Sequence, residues 1–376
     1  MSRPFELGPL VRRWGIPAKK LPSAIATPEE LKPFAVSILK EALPFIDSAA
    51  PKSADAKKIW KSKGFKSSPE TTAKVEVLEF PISASELQSL ASKNNIKAKS
   101  EGEFWAGRLS IHEDAAKKGT ASWDEFDHAF RLVHGKTEMA FTPNVIGANE
   151  AQKWNTAGLE FEEGGQTWDN VTLVVEEMRH KIGRPVLKDR TFPVMQLTCA
   201  VKEGTGSPEF VVVSIPVPDF GTSEHANLSK EKGAQIAYYA SVERIRKLED
   251  GKIEWLLATA SNAAGNLPLF IQDKALGGII WKDVPLFLGY ISKERAKSGT
   301  KPAATATTPA APTEPAAAPA AAPAPEASKD ADEAPATTTA AAPAAPVPAT
   351  EVAKVEETAP KQAAEADKTE EEVKTA

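Results

Sequence analysis

The chain places histidine beside carboxylates in two stretches, a pairing that general bases and metal sites use. One stretch is the run His-Glu-Asp at residues 112–114, and the other contains Glu176, Glu177 and His180. Neighbouring side chains of a strand point to opposite faces, so His112 and the glutamate after it cannot act together. The sequence also lacks a His-x-x-x-His spacing or a repeated set of metal ligands. We therefore predict structural or hydrogen-bonding roles here, with no catalytic residue, no metal and no cofactor.

A polar row alternates with apolar residues between Gly102 and His112, which is the period-2 pattern of a strand. Arg108, Ser110 and His112 share one face, and Trp105 lies on the other. An arginine that points into a protein interior must be paired, and a paired arginine can also meet the polar group of a ligand. Glu177 is the partner that we predict. The alternative is a polar face exposed to water, because the sequence does not say which face is inside.

Hydrophobic periodicity and capping residues predict the elements that must position these side chains. The predicted helices are 28–42, 83–93, 123–133 and 268–297, and the predicted strands are 75–78, 102–112, 171–175, 192–200, 210–217, 236–245 and 253–260. Apolar residues surround the last helix almost completely, which predicts burial on more than one side. Gly277-Gly278 and Pro285 should bend it. The order of elements indicates an α+β fold with antiparallel strands.

Composition divides the chain near Gly299. All eight Trp precede that point, and residues 299–376 contain no Phe, Trp or Tyr. This last segment has 6 Lys and Arg against 13 Asp and Glu, which leaves the rest of the chain nearly neutral with 40 against 38. We predict a flexible segment at 1–26, a domain at 27–298, and a disordered Ala/Pro/acidic tail at 299–376 that could bind a protein partner.

Charge and cysteine content exclude several classes of protein. A nearly neutral folded part lacks the basic excess of a nucleic-acid-binding surface. The single cysteine, Cys199, excludes an intramolecular disulfide and fits a reducing compartment, so we predict a cytoplasmic protein. No stretch approaches the roughly 20 apolar residues that a membrane-spanning helix needs.

Four segments resemble the DUF3074 family, a mainly fungal group within the START-like superfamily. They are Phe104-Trp105-Ala106-Gly107-Arg108-Leu109-Ser110-Ile111-His112-Glu113, Gly119-Thr120-Ala121-Ser122-Trp123, Glu176-Glu177-Met178-Arg179-His180-Lys181-Ile182-Gly183 and Tyr239-Ala240-Ser241-Val242-Glu243-Arg244. The resemblance covers about residues 31–295. It implies a helix-grip fold, in which a curved antiparallel sheet wraps the long C-terminal helix and the space between them holds an apolar ligand.

With this resemblance, the sequence favours non-catalytic binding of a lipid or other hydrophobic small molecule, with transfer of that molecule as an extension and transient contact with a membrane surface. The ligand would be held mainly by burial, at about 25 cal/mol per Å² of apolar surface. The residues that we predict to line the cavity are Trp105, Leu109, Met195, Trp255, Phe270, Ile271 and Trp281, with Arg108, His112 and Glu177 as polar anchors. One alternative is a scaffold protein with a filled core and a working acidic tail. A second is an enzyme of the cyclase or hydrolase kind.

Removal of residues 299–376 tests the predicted tail. Because this segment lacks the apolar residues that a core requires, we expect the melting temperature of the shortened protein to equal that of the full chain. Differential scanning calorimetry of the two proteins measures the difference. A large loss of stability would show that the tail packs against the domain.

Overall fold

The structure is a computed structural model that describes residues 5–52, 58–97, 101–181, 188–264 and 269–299, without the side chain of Phe270. The predicted tail after Gly299 lies outside the described residues. The helices are α1 (Pro28–Asp47), α2 (Ala84–Lys93), α3 (Trp123–Phe126, continued as a π-helix over Asp127–Leu132), α4 (His134–Phe141), α5 (Leu269–Ile279) and α6 (Asp283–Ser298). None of the helices in this described part is long and apolar enough to cross a membrane.

Eleven strands form one sheet in the described part of the chain. They are β1 (Lys61–Lys66), β2 (Val75–Ile82), β3 (Glu103–His112), β4 (Val145–Lys153), β5 (Phe161–Glu163), β6 (Gln166–His180), β7 (Arg190–Val201), β8 (Glu209–Pro216), β9 (Gln235–Ile236), β10 (Tyr238–Lys247) and β11 (Ile253–Asn262). Their order is β1-β2-β3-β11-β10-β8-β7-β6-β4, with β5 beside β6 and the short β9 beside β7. All pairs except β7–β9 are antiparallel.

Helix α1 covers one face of the sheet. Thr27 caps it as part of a capping box, in which Glu30 bonds back to the Thr27 backbone N–H at 2.8 Å. The helix continues past the predicted end at Ala42, through Pro44. Pro44 has no N–H to donate to the carbonyl oxygen of Lys40. Because Lys40 is exposed, water can hydrate that oxygen. The ring of Phe45 lies 4.6 Å from that of Trp105, so α1 belongs to the core.

The other face of the sheet is covered by α3, α4 and the two C-terminal helices. Ser122 caps α3 with the predicted capping box, but only the first four residues are α-helical and the next six wind as a π-helix. At the far end of the layer, Arg295 of α6 binds the carboxylate of Glu125 at 2.5 Å. This contact joins the end of α6 to the start of α3.

The predicted C-terminal helix is two helices. α5 ends at Ile279, directly after Gly277-Gly278, and a 3₁₀ turn leads into α6 at Asp283, so the predicted bend at the glycines is confirmed. Pro285 makes no bend, because it lies in the first turn of α6, where a backbone N–H has no partner within the helix. The apolar residues of this segment are not all buried: Ile279 is 52% exposed and Leu286 36% exposed.

Part of residues 5–26 packs against the core, whereas the sequence predicts a flexible segment at 1–26. Val11 is 1% exposed and joins the core under α1. The carboxylate of Glu41 in α1 accepts hydrogen bonds from the backbone N–H groups of Leu10 and Val11, at 2.8 and 2.9 Å. This packing could not be predicted from the sequence, because these residues have no helical or strand periodicity. The described part of this segment therefore stabilises the α1 face.

The strands form a curved antiparallel sheet, and the C-terminal helices α5 and α6 pack on one of its faces. This arrangement confirms the predicted α+β class and the helix-grip fold.

A pair of Phe→Ala variants tests which packing stabilises the fold. Phe45→Ala, within the α1 core, should lower the free energy of unfolding by about 3–5 kcal/mol. Phe65→Ala, on exposed β1, should change it by less than about 0.5 kcal/mol. Urea denaturation measures both. Equal effects would contradict the assignment of α1 to the core.

Candidate functional site

The two faces of β3 look into different layers. Trp105 and Leu109 face α1, where Trp105 contacts Phe45. Arg108 and His112 face the C-terminal helices and are 2% and 1% exposed. The polar row predicted from the alternation is therefore buried, and the alternative of a polar face exposed to water is wrong.

Arg108 is the charge around which this inner face is arranged. Its Nη2 donates to Oε1 of Glu243 on β10 at 3.2 Å, and the indole N–H of Trp255 donates to the same oxygen at 2.6 Å. The guanidinium carbon lies 4.0 Å from the centre of the Trp255 ring, a cation–π contact. Nε lies 3.6 Å from Oδ2 of Asp283, the first residue of α6. Nη1 has no hydrogen-bond partner among the described residues.

His112 lies beside this group but is held neutral. Burial, together with the charge of Arg108, lowers the pKa of His112 to about 3. Its Nε2 is 2.8 Å from the hydroxyl of Ser110, and its ring packs against Phe126 and Trp255. This geometry gives His112 a hydrogen-bonding role within the packed layer.

A second group of polar side chains comes from α4 and β6. Gly135, near the start of α4, lies directly over Glu176 of β6, since a Cβ atom on this glycine would be 2.9 Å from Glu176 Oε1. His134 Nδ1 lies 3.2 Å from Nε2 of Gln196 and 3.8 Å from Oε2 of Glu138. Burial lowers the pKa of His134 and favours its neutral form.

The two groups are close enough to perturb one another. Burial, followed by the negative charges of Asp283, Glu176 and Glu243, raises the pKa of Glu138 to about 8. Burial also raises the pKa of Asp283 to about 6, although Arg108 opposes the shift. Four carboxyl groups from α4, β6, β10 and α6 thus converge on one region between the sheet and the helices.

Several side chains in this region are only partly buried. Tyr239 and Leu257 lie on the two central strands and face the helical layer, yet both stay partly exposed. The side chains of Glu138 and Asp283 are 28% and 37% exposed, although burial raises the pKa of each. From both facts we infer a narrow space between the sheet and the helices. We call this space, bordered by Glu138, Glu176, Tyr239, Leu257 and Asp283, the inner chamber.

Three of the predicted lining residues are wrong. The structure places Trp105, Leu109 and Met195 on the α1 side, within or against the core below that helix. The sequence does not show which face of a strand packs against α1. A shift of one residue reverses the face of every side chain in that strand. These residues support the sheet from behind and do not border the inner chamber.

The predicted pairing of Arg108 with Glu177 is also wrong. Glu177 lies on β6 and accepts hydrogen bonds from Asn149 and from the backbone N–H groups of Asn227, Leu228 and Ser229. Four strands separate β3 from β6, which puts the two side chains out of reach. Glu177 instead fixes the loop that precedes β9.

The remaining predicted residues lie on or near the helical layer. Trp255 faces it but is enclosed, with ring contacts to Phe130 at 4.8 Å and Phe287 at 5.5 Å. Trp281 is partly buried and belongs to the turn between α5 and α6, and Ile271 is 38% exposed on α5. The predicted contribution of Phe270 lies outside the described side chains.

Sequence reasoning missed most of the residues that border the chamber. They are Glu138, Tyr239, Leu257 and Asp283, with His134 and Glu243 beside them, and Glu176 was considered only as a partner of His180. A usable signal was present in β10, where polar side chains at 239, 241 and 243 alternate with Ala240 and Val242. No comparable pattern marks α4, which was not predicted.

A separate pocket of about 190 Å³ lies where β3 and β10 begin and β11 ends. Its lining residues include Arg13, Trp14 and Tyr238, and Arg13 already donates to the carbonyl oxygen of Gly102 at 2.7 Å. It is far from the converging carboxyl groups. Within the described ranges, no group of three or more His, Cys, Asp or Glu side chains could hold a metal ion.

A family model matches part of this chain. Residues 105–291 match the model of a family described as "Protein of unknown function (DUF3074)". A search of curated protein sequences found no match. The family match begins within β3, so α1 and the N-terminal packing lie before it.

Solved structures of human proteins give weaker similarity. Human STARD10 has 10% identity and a TM-score of 0.41, covering 69% of this chain and 82% of that one. Human StAR-related lipid transfer protein 5 has 10% identity and a TM-score of 0.42, covering 73% and 100%. The lipid transfer and protein localization domain of human StarD13 has 13% identity and a TM-score of 0.37, covering 67% and 96%. At these values the similarities assign neither a ligand nor an activity to this chain.

The raised pKa of Glu138 predicts a pH dependence of stability. The carboxyl holds its proton in the folded state up to about pH 8, whereas the unfolded chain loses it near pH 4.5. Stability from this group is therefore full below about pH 4.5 and falls as pH rises toward 8. Glu138→Gln should raise the free energy of unfolding by about 1–3 kcal/mol near pH 8 and leave it unchanged near pH 4.

Urea denaturation at both pH values measures this difference. Glu203→Gln, which removes the same charge from an exposed turn, is the matched control. An equal gain from both variants at pH 8 would show that overall charge, and not burial of Glu138, is responsible.

Proposed function

We propose that the protein binds an amphipathic small molecule in the inner chamber, with its hydrocarbon part against Leu257 and its polar group at the carboxyl cluster. The observation that carries this proposal is the partial exposure of Tyr239 and Leu257, at the centre of the sheet and facing the C-terminal helices. A filled core would bury these positions as it buries Trp255. The rival scaffold function, which needs a filled core, is therefore disfavoured.

Burial supplies the affinity in this proposal. Each CH₂ group taken from water contributes about 0.8 kcal/mol, so a chain of moderate length binds without a set of sharp polar contacts. The polar residues then select which head group is accepted, because a buried polar atom left without a partner costs about 1–3 kcal/mol. Arg108 and the surrounding carboxyl groups are the selecting residues.

The outer surface of the C-terminal helices supports the further proposal of transient contact with a membrane surface. Ile279 and Leu286 are exposed there, together with Lys274 and Lys282. Apolar side chains beside lysines suit the interface of a bilayer that contains anionic lipids. Contact at this surface would bring the break between α5 and α6 close to the source of a hydrophobic ligand.

Two further proposals rest on the sequence alone. The acidic residues within 299–376 suit a basic protein partner. A single, buried cysteine suits a reducing compartment such as the cytoplasm.

A second candidate function is acid–base catalysis in the same chamber. The observation that favours it is the convergence of titratable groups that an enzyme of the cyclase or hydrolase kind needs. A protonated Glu138 can donate a proton, and the neutral His134 at 3.8 Å can accept one. Mass spectrometry of ligand recovered from the purified protein separates the two functions, because a binding protein returns its ligand chemically unchanged.

Filling the chamber tests the proposed binding. Leu257→Trp adds an indole to the partly exposed wall and should weaken binding of the neutral probe N-phenyl-1-naphthylamine by about tenfold or more, since the space is lost. Its melting temperature should not fall. Probe fluorescence titration measures the affinity.

The control is Ile111→Trp, which adds the same group to the α1 face of β3 at a residue that is 38% exposed. This variant should bind the probe like the unaltered protein. Undiminished binding by Leu257→Trp would place the probe elsewhere and remove the support for an inner chamber.

A further inference from the structure

The pocket of about 190 Å³ at the end of the sheet lies apart from the inner chamber. Its wall combines the N-terminal segment, α2, the start of β3, the loop after β8, the start of β10 and the end of β11. A cavity of about 150 Å³ is enough to hold benzene. The pocket is therefore large enough for a small molecule built from one ring and a short side group.

Arg13 brings a positive charge to this pocket. Its Nη2 donates to the carbonyl oxygen of Gly102 at 2.7 Å, and its Nη1 donates to that of Ser261 at 3.5 Å. These bonds use two of the five N–H groups of a guanidinium and hold it in place. Burial raises the pKa of Asp273 on α5, an effect that the charge of Arg13 opposes. Within the described ranges Arg13 forms no ion pair, so its guanidinium is fixed but not neutralised.

Two further hydrogen-bond donors line the same pocket. Oδ1 of Asn262 accepts from the backbone N–H of Ala264 at 2.8 Å, and the amide N–H groups of Asn262 have no acceptor among the described residues. The hydroxyl of Tyr238 makes no hydrogen bond to another residue of that described part. Because these donors border one pocket together with Arg13, the complementary ligand group is an acceptor with a negative charge.

The acidic residues of the wall do not cancel the charge of Arg13. Glu103 is buried, and its carboxylate accepts from the backbone N–H of Arg13 at 2.8 Å and from the indole N–H of Trp105 at 3.0 Å. Arg12 lies 3.9 Å from the same carboxylate and balances its charge. Glu101 is exposed to water, which screens its charge. The guanidinium of Arg13 is therefore the charge that a ligand meets inside the pocket.

The apolar part of the wall comes from Trp14, Leu87 and Pro218. Leu87 is buried in the core on the α1 side, whereas Trp14 and Pro218 are partly exposed. The indole N–H of Trp14 donates to the carbonyl oxygen of Pro9 at 2.8 Å, which fixes the ring. Small-molecule sites commonly combine such an apolar wall with a few convergent polar groups.

We propose that this pocket binds a small monocarboxylate with a compact apolar body, such as a phenyl ring on a short chain. Its carboxylate would accept hydrogen bonds from Arg13, Asn262 and Tyr238, and its apolar body would contact Trp14 and Leu87. The pocket is separate from the inner chamber, so this proposal does not depend on the function assigned there. Because the bound molecule would link the N-terminal segment to β10 and β11, it would also stabilise the folded protein.

The experiment compares four probes that share one carbon skeleton: 3-phenylpropanoate, 3-phenylpropan-1-ol, 3-phenylpropylamine and phenylalanine. Isothermal titration calorimetry of the full chain measures their affinities. We expect 3-phenylpropanoate to bind with a Kd below about 1 mM and at least about tenfold more tightly than the other probes. The alcohol lacks the charge, the amine is repelled by Arg13, and the ammonium of phenylalanine meets no buried acceptor that is still open.

Four variants locate the bound carboxylate. Asn262→Asp keeps the oxygen that accepts from Ala264 but replaces the amide donor by an anionic oxygen. It should weaken binding of 3-phenylpropanoate by about tenfold or more without lowering the melting temperature. Arg13→Gln should abolish the preference for the carboxylate over the alcohol, whereas Lys19→Gln, which removes the same charge from an exposed residue of the same segment, should preserve it. Leu257→Trp, which alters the inner chamber, should bind 3-phenylpropanoate like the unaltered protein.

Each result supports or overturns the proposal. If 3-phenylpropanoate does not bind at about 1 mM, or if the alcohol binds as tightly, the carboxylate site is wrong. Tighter binding of phenylalanine would assign its ammonium to Glu101 and overturn the monocarboxylate class. Binding that is lost in Leu257→Trp but kept in Asn262→Asp would place the probe in the inner chamber instead of this pocket.

Discussion

The guanidinium of Arg108 is the constraint on which the inner side of this protein depends. A charge that is 2% exposed must be paired within the protein, and its partners come from distant parts of the chain: Glu243 on β10 and Asp283 at the start of α6. Trp255 supports the guanidinium face and shares Glu243 with it. The positions of three strands and of the C-terminal helix are thus tied to one another through a single side chain.

The single positive charge of Arg108 does not neutralise all the carboxyl groups of this layer. With Arg108 engaged, Glu138 and Glu176 remain without a cation in the described structure, and the pKa of Glu138 rises to about 8. Retained protons, a donor without an acceptor and partly exposed central residues all carry a cost in stability. Such costs gather at sites where a ligand can relieve them, because a protein selected for stability alone would replace these groups with apolar side chains.

The opposite face of the sheet is apolar. There α1, the N-terminal segment and the apolar side chains of the strands form a continuous core with Phe45 and Trp105 near its centre. This layer gives the chamber a rigid back wall. Residues 105–291 match the family, yet α1 and the N-terminal segment before them are part of the same fold, so the folded unit extends beyond the matched region.

Local features could be predicted from the sequence because they depend on neighbouring residues. The N-caps of α1 and α3 at Thr27 and Ser122, the alternation of β3 and the bend after Gly277-Gly278 are examples, and each is present in the structure. Features that depend on partners far along the chain could not be predicted. Strand order separates Arg108 from Glu177 and pairs it with Glu243, the faces of Trp105 and Met195 follow from what packs on each side, and α4 lacks a strong pattern of its own. The sequence by itself determined where most elements begin and which residues share a face, whereas only the tertiary structure decided which face is inside and which charges meet, because burial and strand pairing are set by contacts between distant segments.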